Sequence, residues 1–277
     1  MTDSTDRAWD SFTRVNAGQR FRKPSAAMGR ALTEAIVAEA RIEPNMTVLD
    51  IASGSGEPAI SVATAMRDTG RVIATDISPA PLKVAEQRAR ERGLTNIEFQ
   101  PADVHKLPFA DCTFDRALCR LGAMFFSDVP CAFTEIRRVL KPGGRFTLLA
   151  WGPMEQPYFE TTIGTVLKLV PNLKPLISNV TMFRFGEPGA VSSELRNAGF
   201  DTIEEDTREL PWNWPDTPEH LWEYFQEVTI PFKPLLQAIP SERRDEVHSA
   251  VLNDLRKRYV DGEVRFGAKV VIASATR

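Results

Sequence analysis

Three aspartates, each closing a short β-branched run, and a small-residue loop beside the first of them form the pattern with the most chemical content in this chain. Val48-Leu49-Asp50-Ile51 leads into Ala52-Ser53-Gly54-Ser55-Gly56, and a helix is expected from about Pro58. Such a loop lets a ligand approach backbone N–H groups at a helix N-terminus. Asp76 ends the run RVIATD, and Asp103 ends the third run within PADVHKLPF. Gly54-x-Gly56-x-x-Ala59, with Asp76 twenty residues beyond Gly56, also fits a dinucleotide fingerprint, so the loop alone does not choose a ligand.

Asp50 separates the readings. A pyrophosphate carries about two negative charges, and a carboxylate at the end of the same loop repels it by a few kcal/mol at an effective dielectric near 20. Asp50 therefore counts against NAD and against an NAD-dependent oxidoreductase, which also lacks recognisable hydride-chemistry residues here. A ligand bearing an ammonium and a sulfonium is favoured by that acid, while its carboxylate uses the loop N–H groups of Ala52, Ser53, Gly54 and Gly56. That ligand is S-adenosylmethionine. Asp76, with Ile77 beside it, is placed to accept both ribose hydroxyls, and Asp103 to accept from an adenine amino group while the Val104 N–H reaches a ring nitrogen. Singly, each acid reads equally as a loop aspartate or helix cap; at three successive strand ends they read as one site.

The elements that must position these residues alternate. Residues 25–41 have helical periodicity, broken by Glu43-Pro44-Asn45. From there to about residue 150, β-branched runs alternate with helical patterns, which implies parallel strands with helices on both faces. Right-handed crossovers bring the strand C-termini, where ligands bind in such folds, to one sheet edge. After Trp151 a proline-punctuated helical stretch, a helix ending at Gly199 and a strand DTIEEDTREL follow. An excursion from Pro211 to Gly262 then precedes the closing strand EVRFGAKVVIASATR. Thr217 and Pro218 open a helix within it, as N-cap and first helical residue.

The chain resembles the class I S-adenosylmethionine-dependent methyltransferases, and within them the branch of quinone-biosynthesis C-methyltransferases and related small-molecule enzymes. The likeness runs from Met46 to about Ala150 and rests on VLDIASGSG, ATDIS, PADVHKLPF, FDRALCRLGAMFFSD and LKPGGRF, in the family's order and spacing. The resemblance implies an α/β, Rossmann-like fold with a seven-stranded, mostly parallel sheet and an antiparallel final strand. It also implies methyl transfer from S-adenosylmethionine, with S-adenosylhomocysteine as product, to oxygen or carbon of a small hydrophobic, aromatic or quinone-like acceptor. A non-methyl role for the same fold, as a cyclase, lyase or binding module, is the further alternative. One domain over residues 1–277 is expected, with its core about 25–150 and 200–277. Lid segments are expected about 1–24, 152–185 and 211–262.

Three features depart from the family pattern. Ala52 stands where the first loop glycine is usual, and its Cβ resists positive φ. Arg120, just past the fourth strand, replaces a small or polar residue; it is expected to pair with the cofactor carboxylate or with an anionic group of the substrate, a surface salt bridge being the bland reading. The long excursion replaces a short hairpin, as a lid. Methyl transfer needs positioning and water exclusion, and a base only where the nucleophile loses a proton. No residue identifies itself as that base; His220, in the first turn of a lid helix, is the weak catalytic candidate, with Arg120. His105 is expected beside the purine. Trp151, Trp212 and Trp214 are the candidate acceptor walls, whereas Leu221, Trp222 and Phe225 sit at helical spacing and should pack inward.

Composition closes off other classes. The 34 Lys+Arg against 37 Asp+Glu among 277 residues leave no global positive field for nucleic acid. The N-terminus MTDSTDRAWD is polar and acidic, unlike a signal peptide, and no apolar run approaches the ~20 residues of a membrane span, so a soluble, cytoplasmic protein is expected. Cys112, Cys119 and Cys131 match no zinc or disulfide spacing, and His105, His220 and His248 are scattered, so no metal is expected. The expected partners are a small-molecule acceptor and, as the protein partner left open, a second copy of the chain.

Overall fold

Short strands of β-branched and aliphatic residues separated by amphipathic helices assemble into one seven-stranded sheet in the computed structural model, which describes residues 20–67 and 69–277. The strands are β1 (Thr47–Ile51), β2 (Arg71–Asp76), β3 (Ile97–Pro101), β4 (Phe114–Arg120), β5 (Leu140–Trp151), β6 (Asp201–Pro211) and β9 (Gly267–Thr276), in the order β3-β2-β1-β4-β5-β9-β6. β1 pairs in parallel with β2 and β4, β2 with β3, and β4 with β5. β9 runs antiparallel between β5 and β6, so the final strand alone reverses direction in this sheet. A small hairpin, β7 (Tyr259–Val260) and β8 (Glu263–Val264), stands apart. Because β1 and β9 lie inside the sheet, they read as near-continuous buried runs, Val48–Ile51 and Val270–Ala273, rather than alternating ones.

Helices α1 (Arg22–Met28), α2 (Arg30–Glu39), α3 (Ala59–Met66), α4 (Pro79–Glu91), α5 (Val129–Val139) and α6 (Ala190–Asn197) flank the sheet. In α5, Ala132, Phe133, Ile136 and Val139 are buried at helical spacing, and the Asp128 side chain caps the first turn by accepting from the Cys131 N–H. The single helix expected over 25–41 is two, meeting at Gly29. A Cβ there would lie 3.1 Å from an Arg120 guanidinium nitrogen and 3.9 Å from the Trp212 ring, so glycine leaves the room that these distant side chains occupy. The end of α2 is fixed to the sheet. Arg116 Nε donates to the Ala40 carbonyl at 2.9 Å, and buried Arg145 pairs with Glu39 at 2.9 Å and with Glu204 at 2.5 Å.

The 211–262 excursion holds α7 (Pro218–Val228), a short helix Lys233–Gln237 and α8 (Arg244–Arg256), and 152–185 holds short helical turns. Thr217 caps α7, its hydroxyl accepting from the His220 N–H at 3.2 Å. Leu221, Trp222 and Phe225 are buried on that helix. Of the N-terminal segment expected as a lid over residues 1–24, residues 1–19 lie outside the described residues. Among the described residues no helix is long and apolar enough to cross a membrane.

Candidate functional site

The turn after β1 depends on positive φ. Ala52 (+55°), Gly54 (+55°) and Gly56 (+104°) all adopt it, and a Cβ on Gly56 would stand 2.6 Å from Ile60 Cδ1. The loop N–H groups expected to meet a ligand carboxylate are largely occupied instead. Ser53 N donates to the Thr75 carbonyl at 2.9 Å, Gly54 N to Asp76 Oδ2 at 2.8 Å and Gly56 N to the Ser53 carbonyl at 2.9 Å. Internal bonding makes the loop rigid, but it removes these three donors from ligand binding.

Asp50 lies under this loop, 1% exposed, with Oδ2 accepting from the Ala59 N–H at 3.1 Å. Its Oδ1 and the Ser53 Oγ are both buried, and the Ser53 hydroxyl is the side-chain group that faces the carboxyl. Burial pushes the Asp50 carboxyl up to about 7, against the pull of the Ser53 hydroxyl, the Ala59 N–H and the Arg120 cation; Glu57 adds to the rise.

The other two acids hold their own surroundings in shape. Asp76, the last residue of β2, accepts from the Gly54 N–H and, through Oδ1, from the Ser78 N–H at 2.9 Å, so it ties the first loop to the start of α4. Ile77 beside it is 50% exposed, an uncommon position for an isoleucine. Asp103 lies two residues beyond the end of β3, not on the strand, and caps a short turn, Val104–Lys106. Partial burial works against its ionised form, but the His105 backbone and ring, at 2.9 and 2.6 Å, outweigh it and hold the carboxyl below the usual range. Because Asp128 N–H donates to His105 Nε2 at 3.2 Å, the ring proton sits on Nδ1, facing Asp103. His105 therefore brackets the acid rather than acting as a base.

A cavity of about 330 Å³ opens between the loop, the α1–α2 break and α7. Its walls include Ala52, Ser53, Gly54 and Ser55 on one side and Trp212, Tyr224 and Val228 on the other, with Ser25 and Gly29 from the N-terminal helices. Arg120, the last residue of β4 rather than a residue past it, reaches into this space. Its Nε is 3.4 Å from the Glu57 carbonyl, and among the described residues no carboxylate approaches it to ion-pair distance. Burial lowers its pKa, opposed by the Glu57 and Asp50 carboxylates. Glu57 is otherwise engaged: Oε1 pairs with Arg88 at 3.0 Å, and Oε2 accepts from the Ser61 hydroxyl at 2.6 Å.

Asp50, Gly56, Asp76, Ile77, Asp103, Val104, Trp151, Trp214 and His220 do not line this cavity. Trp212 does, and Trp151 stands behind it, edge-on, with ring centroids 5.1 Å apart. Trp214 is wholly buried among Phe21, Tyr224 and His220, which makes it core rather than wall. The His220 ring packs on Phe21, and its Nδ1 lies 2.7 Å from Asp216 Oδ2; it borders a separate surface hollow with His248. Sequence reasoning passed over Ser25, Tyr224 and Val228, which reach the cavity from two helices distant in the chain and carry no motif.

The model of the ubiE/COQ5 methyltransferase family matches residues 27–189. An uncharacterized Mycobacterium tuberculosis protein is 39% identical over 143 residues, 52% of this chain and 48% of that one. The ubiquinone/menaquinone biosynthesis C-methyltransferase UbiE of Burkholderia cenocepacia is 36% identical over 138 residues, 48% of this chain and 56% of that one. The chain thus spans about half the length of the curated relatives it matches. Among solved structures, the YcgJ protein of Bacillus subtilis superposes with a TM-score of 0.58 at 23% identity, covering 88% of this chain and 97% of that one. The [4+2]-cyclase SpnF shares the fold at a TM-score of 0.52 and 22% identity, covering 89% of this chain and 79% of that one.

Proposed function

The chain belongs to the ubiE/COQ5 methyltransferase family, and on that premise we propose that it binds S-adenosylmethionine over the β1 loop. On this reading it transfers the methyl group to oxygen or carbon of a small hydrophobic, aromatic or quinone-like acceptor. The observation that carries the reading is the Asp50 carboxyl buried directly beneath the loop, whose ionised form only the Ser53 hydroxyl, the Ala59 N–H and the Arg120 cation support. A buried carboxylate calls for a charged donor, and an ammonium held at the Ser53 wall of the cavity, above Asp50, supplies one. A pyrophosphate would meet the Asp50 carboxyl with no donor to offer it, which is why a nicotinamide dinucleotide fits less well.

When bound, the cofactor supplies an electrophilic methyl group on a sulfonium. The chain's own residues then have three tasks. Asp50 and Ser53 receive the ammonium, and Asp76, fixed at the end of β2 by the Gly54 and Ser78 N–H groups, meets the ribose hydroxyls. Asp103, held by His105, and the Val104 N–H meet the adenine, with Ile77 against the ring. With three of the loop donors spent internally, Ser25 of α1, which shares the cavity, is a group that can meet the methionyl carboxylate. Trp212, Tyr224 and Val228 exclude water from the reacting atoms.

Calorimetric titration with S-adenosylhomocysteine, with NAD(H) in parallel, tests the cofactor. Micromolar binding of the first and none of the second is expected; the reverse would sink the reading. Incubation with labelled S-adenosylmethionine and aromatic or quinol acceptors then separates methyl transfer, which consumes the cofactor, from a cyclase-like role, which does not.

A further inference from the structure

We infer that the acceptor carries an anionic oxygen on its apolar body, and that Arg120 is the residue that reads it. The inference rests on the cofactor reading above and deepens it. Arg120 is the one cavity-lining cation, among the described residues, with no carboxylate at ion-pair distance: Arg88 pairs with Glu57 at 3.0 Å and Arg22 with Glu91 at 3.4 Å, whereas Glu57 and Asp50 act on Arg120 only from farther off. It reaches from the loop, where its Nε is 3.4 Å from the Glu57 carbonyl, toward the aromatic wall. Its guanidinium abuts the α1–α2 break, where a Cβ on Gly29 would stand 3.1 Å from one nitrogen, and Trp212 approaches the same glycine. The apolar faces of Trp212 and Val228 adjoin it in the same cavity.

Local charge points the same way. Among the described residues no carboxylate stands at ion-pair distance from the Arg120 guanidinium, the Glu57 and Asp50 carboxylates acting on it only from farther off, so an anionic oxygen bound against it gains a direct partner. Arg120 presents a planar fork of donors suited to a carboxylate, and it equally lowers the pKa of a phenol or enol bound against it. Such an acceptor ionises to solvent on or before binding, and no protein base is then required. The S–CH3 bond breaks as the O–CH3 or C–CH3 bond forms, the electron pair comes from the acceptor anion, and the sulfonium becomes the neutral thioether of S-adenosylhomocysteine; where carbon is methylated, the C–H bond at that carbon then breaks and its proton leaves to solvent.

The test is calorimetric titration of wild-type protein saturated with S-adenosylhomocysteine, using benzoate, 4-hydroxybenzoate and 2-naphthoate, each against its neutral amide. At least one acid is expected to bind tenfold or more tighter than its amide. Arg120→Gln should erase that preference while the affinity for S-adenosylhomocysteine stays within about twofold, and Arg120→Lys should keep part of it. Equal affinities for acid and amide, or no binding by any acid, overturn the inference. So does an Arg120→Gln protein that loses S-adenosylhomocysteine affinity instead, since the arginine would then hold the cofactor's carboxylate. Should Arg120→Gln fail to fold, the wild-type preference and the Arg120→Lys response decide. If S-adenosylhomocysteine does not bind the wild type, the cofactor reading fails by itself, and the acid preference is measured on the unloaded chain.

Discussion

Ala52 and Gly122 share the space for one side chain. A Cβ on Gly122 would stand 2.5 Å from the Ala52 Cβ and 2.9 Å from the Cys119 sulfur, and Ala52 itself sits at φ +55°. An L-residue in that region costs about 1–2 kcal/mol, and the Cβ that Ala52 carries fits because a glycine stands opposite. Ala52→Gly should therefore stabilise the protein by up to about 1 kcal/mol, the gain limited by the greater chain entropy of glycine. Gly122→Ala should destabilise by about 1–3 kcal/mol, and Ala52→Gly should recover much of that loss. Chemical denaturation of the two single variants and the double variant measures this coupling; strict additivity would mean that the two positions do not compete.

The Asp50 carboxyl makes the site sensitive to pH near neutrality. Its folded pKa, about 7, lies above its ordinary value of 3.8, because burial disfavours the charge. The folded state therefore binds the proton more tightly than the unfolded chain. The associated stability is complete below about pH 4, falls as the pH rises toward 7 and is fully lost above that. Asp50→Asn should flatten this slope. An ammonium ligand selects the ionised form, so S-adenosylhomocysteine affinity should fall by up to tenfold per unit below pH 7, with proton release seen as a buffer-dependent binding enthalpy. An affinity flat between pH 5.5 and 8 would count against Asp50 as the ammonium partner.

His220 is expected to serve the fold rather than the reaction. Its ring lies 5.0 Å from Phe21 and 5.3 Å from Trp214, and its Nδ1 faces Asp216, all outside the cavity. His220→Gln should lower Tm by a few degrees through lost ring packing and leave the pH–rate profile of methyl transfer in place. A lost limb in that profile would return His220 to the chemistry.

Much of this arrangement was legible in the chain because it is local. The strand-loop-helix around Asp50 and the acid at the end of β2 follow from residues within a few positions of one another, and the seven-stranded sheet with its antiparallel final strand came with the family resemblance of the motifs. Distance in the chain hid the rest. The approach of Arg120 and Trp212 to Gly29 is not predictable from the helical periodicity of residues 25–41. The loop N–H groups looked available because nothing in the glycine pattern shows that Thr75 and Asp76 on the neighbouring strand accept from them. His105 shows its role only when Asp103 and Asp128 stand on either side of its ring.

Trp212 and Trp214, two residues apart and alike in sequence, should separate by experiment. Trp214 is 0% exposed, enclosed by Phe21, Tyr224 and His220, and its loss removes contacts that nothing else replaces. Trp214→Ala should cost about 3–5 kcal/mol, a large share of a typical stability of 5–15 kcal/mol, so the milder Trp214→Phe is the useful variant. It should lower Tm and leave the acceptor KM nearly unchanged. Trp212 is 7% exposed and faces the cavity from an edge-on stack with Trp151 and Tyr158, so part of its surface is available to an acceptor. Trp212→Phe shortens that wall and should raise the acceptor KM several-fold while S-adenosylhomocysteine affinity holds. Equal effects of the two substitutions on KM would mean that the aromatic wall acts through packing alone, and that Trp212 does not touch the acceptor.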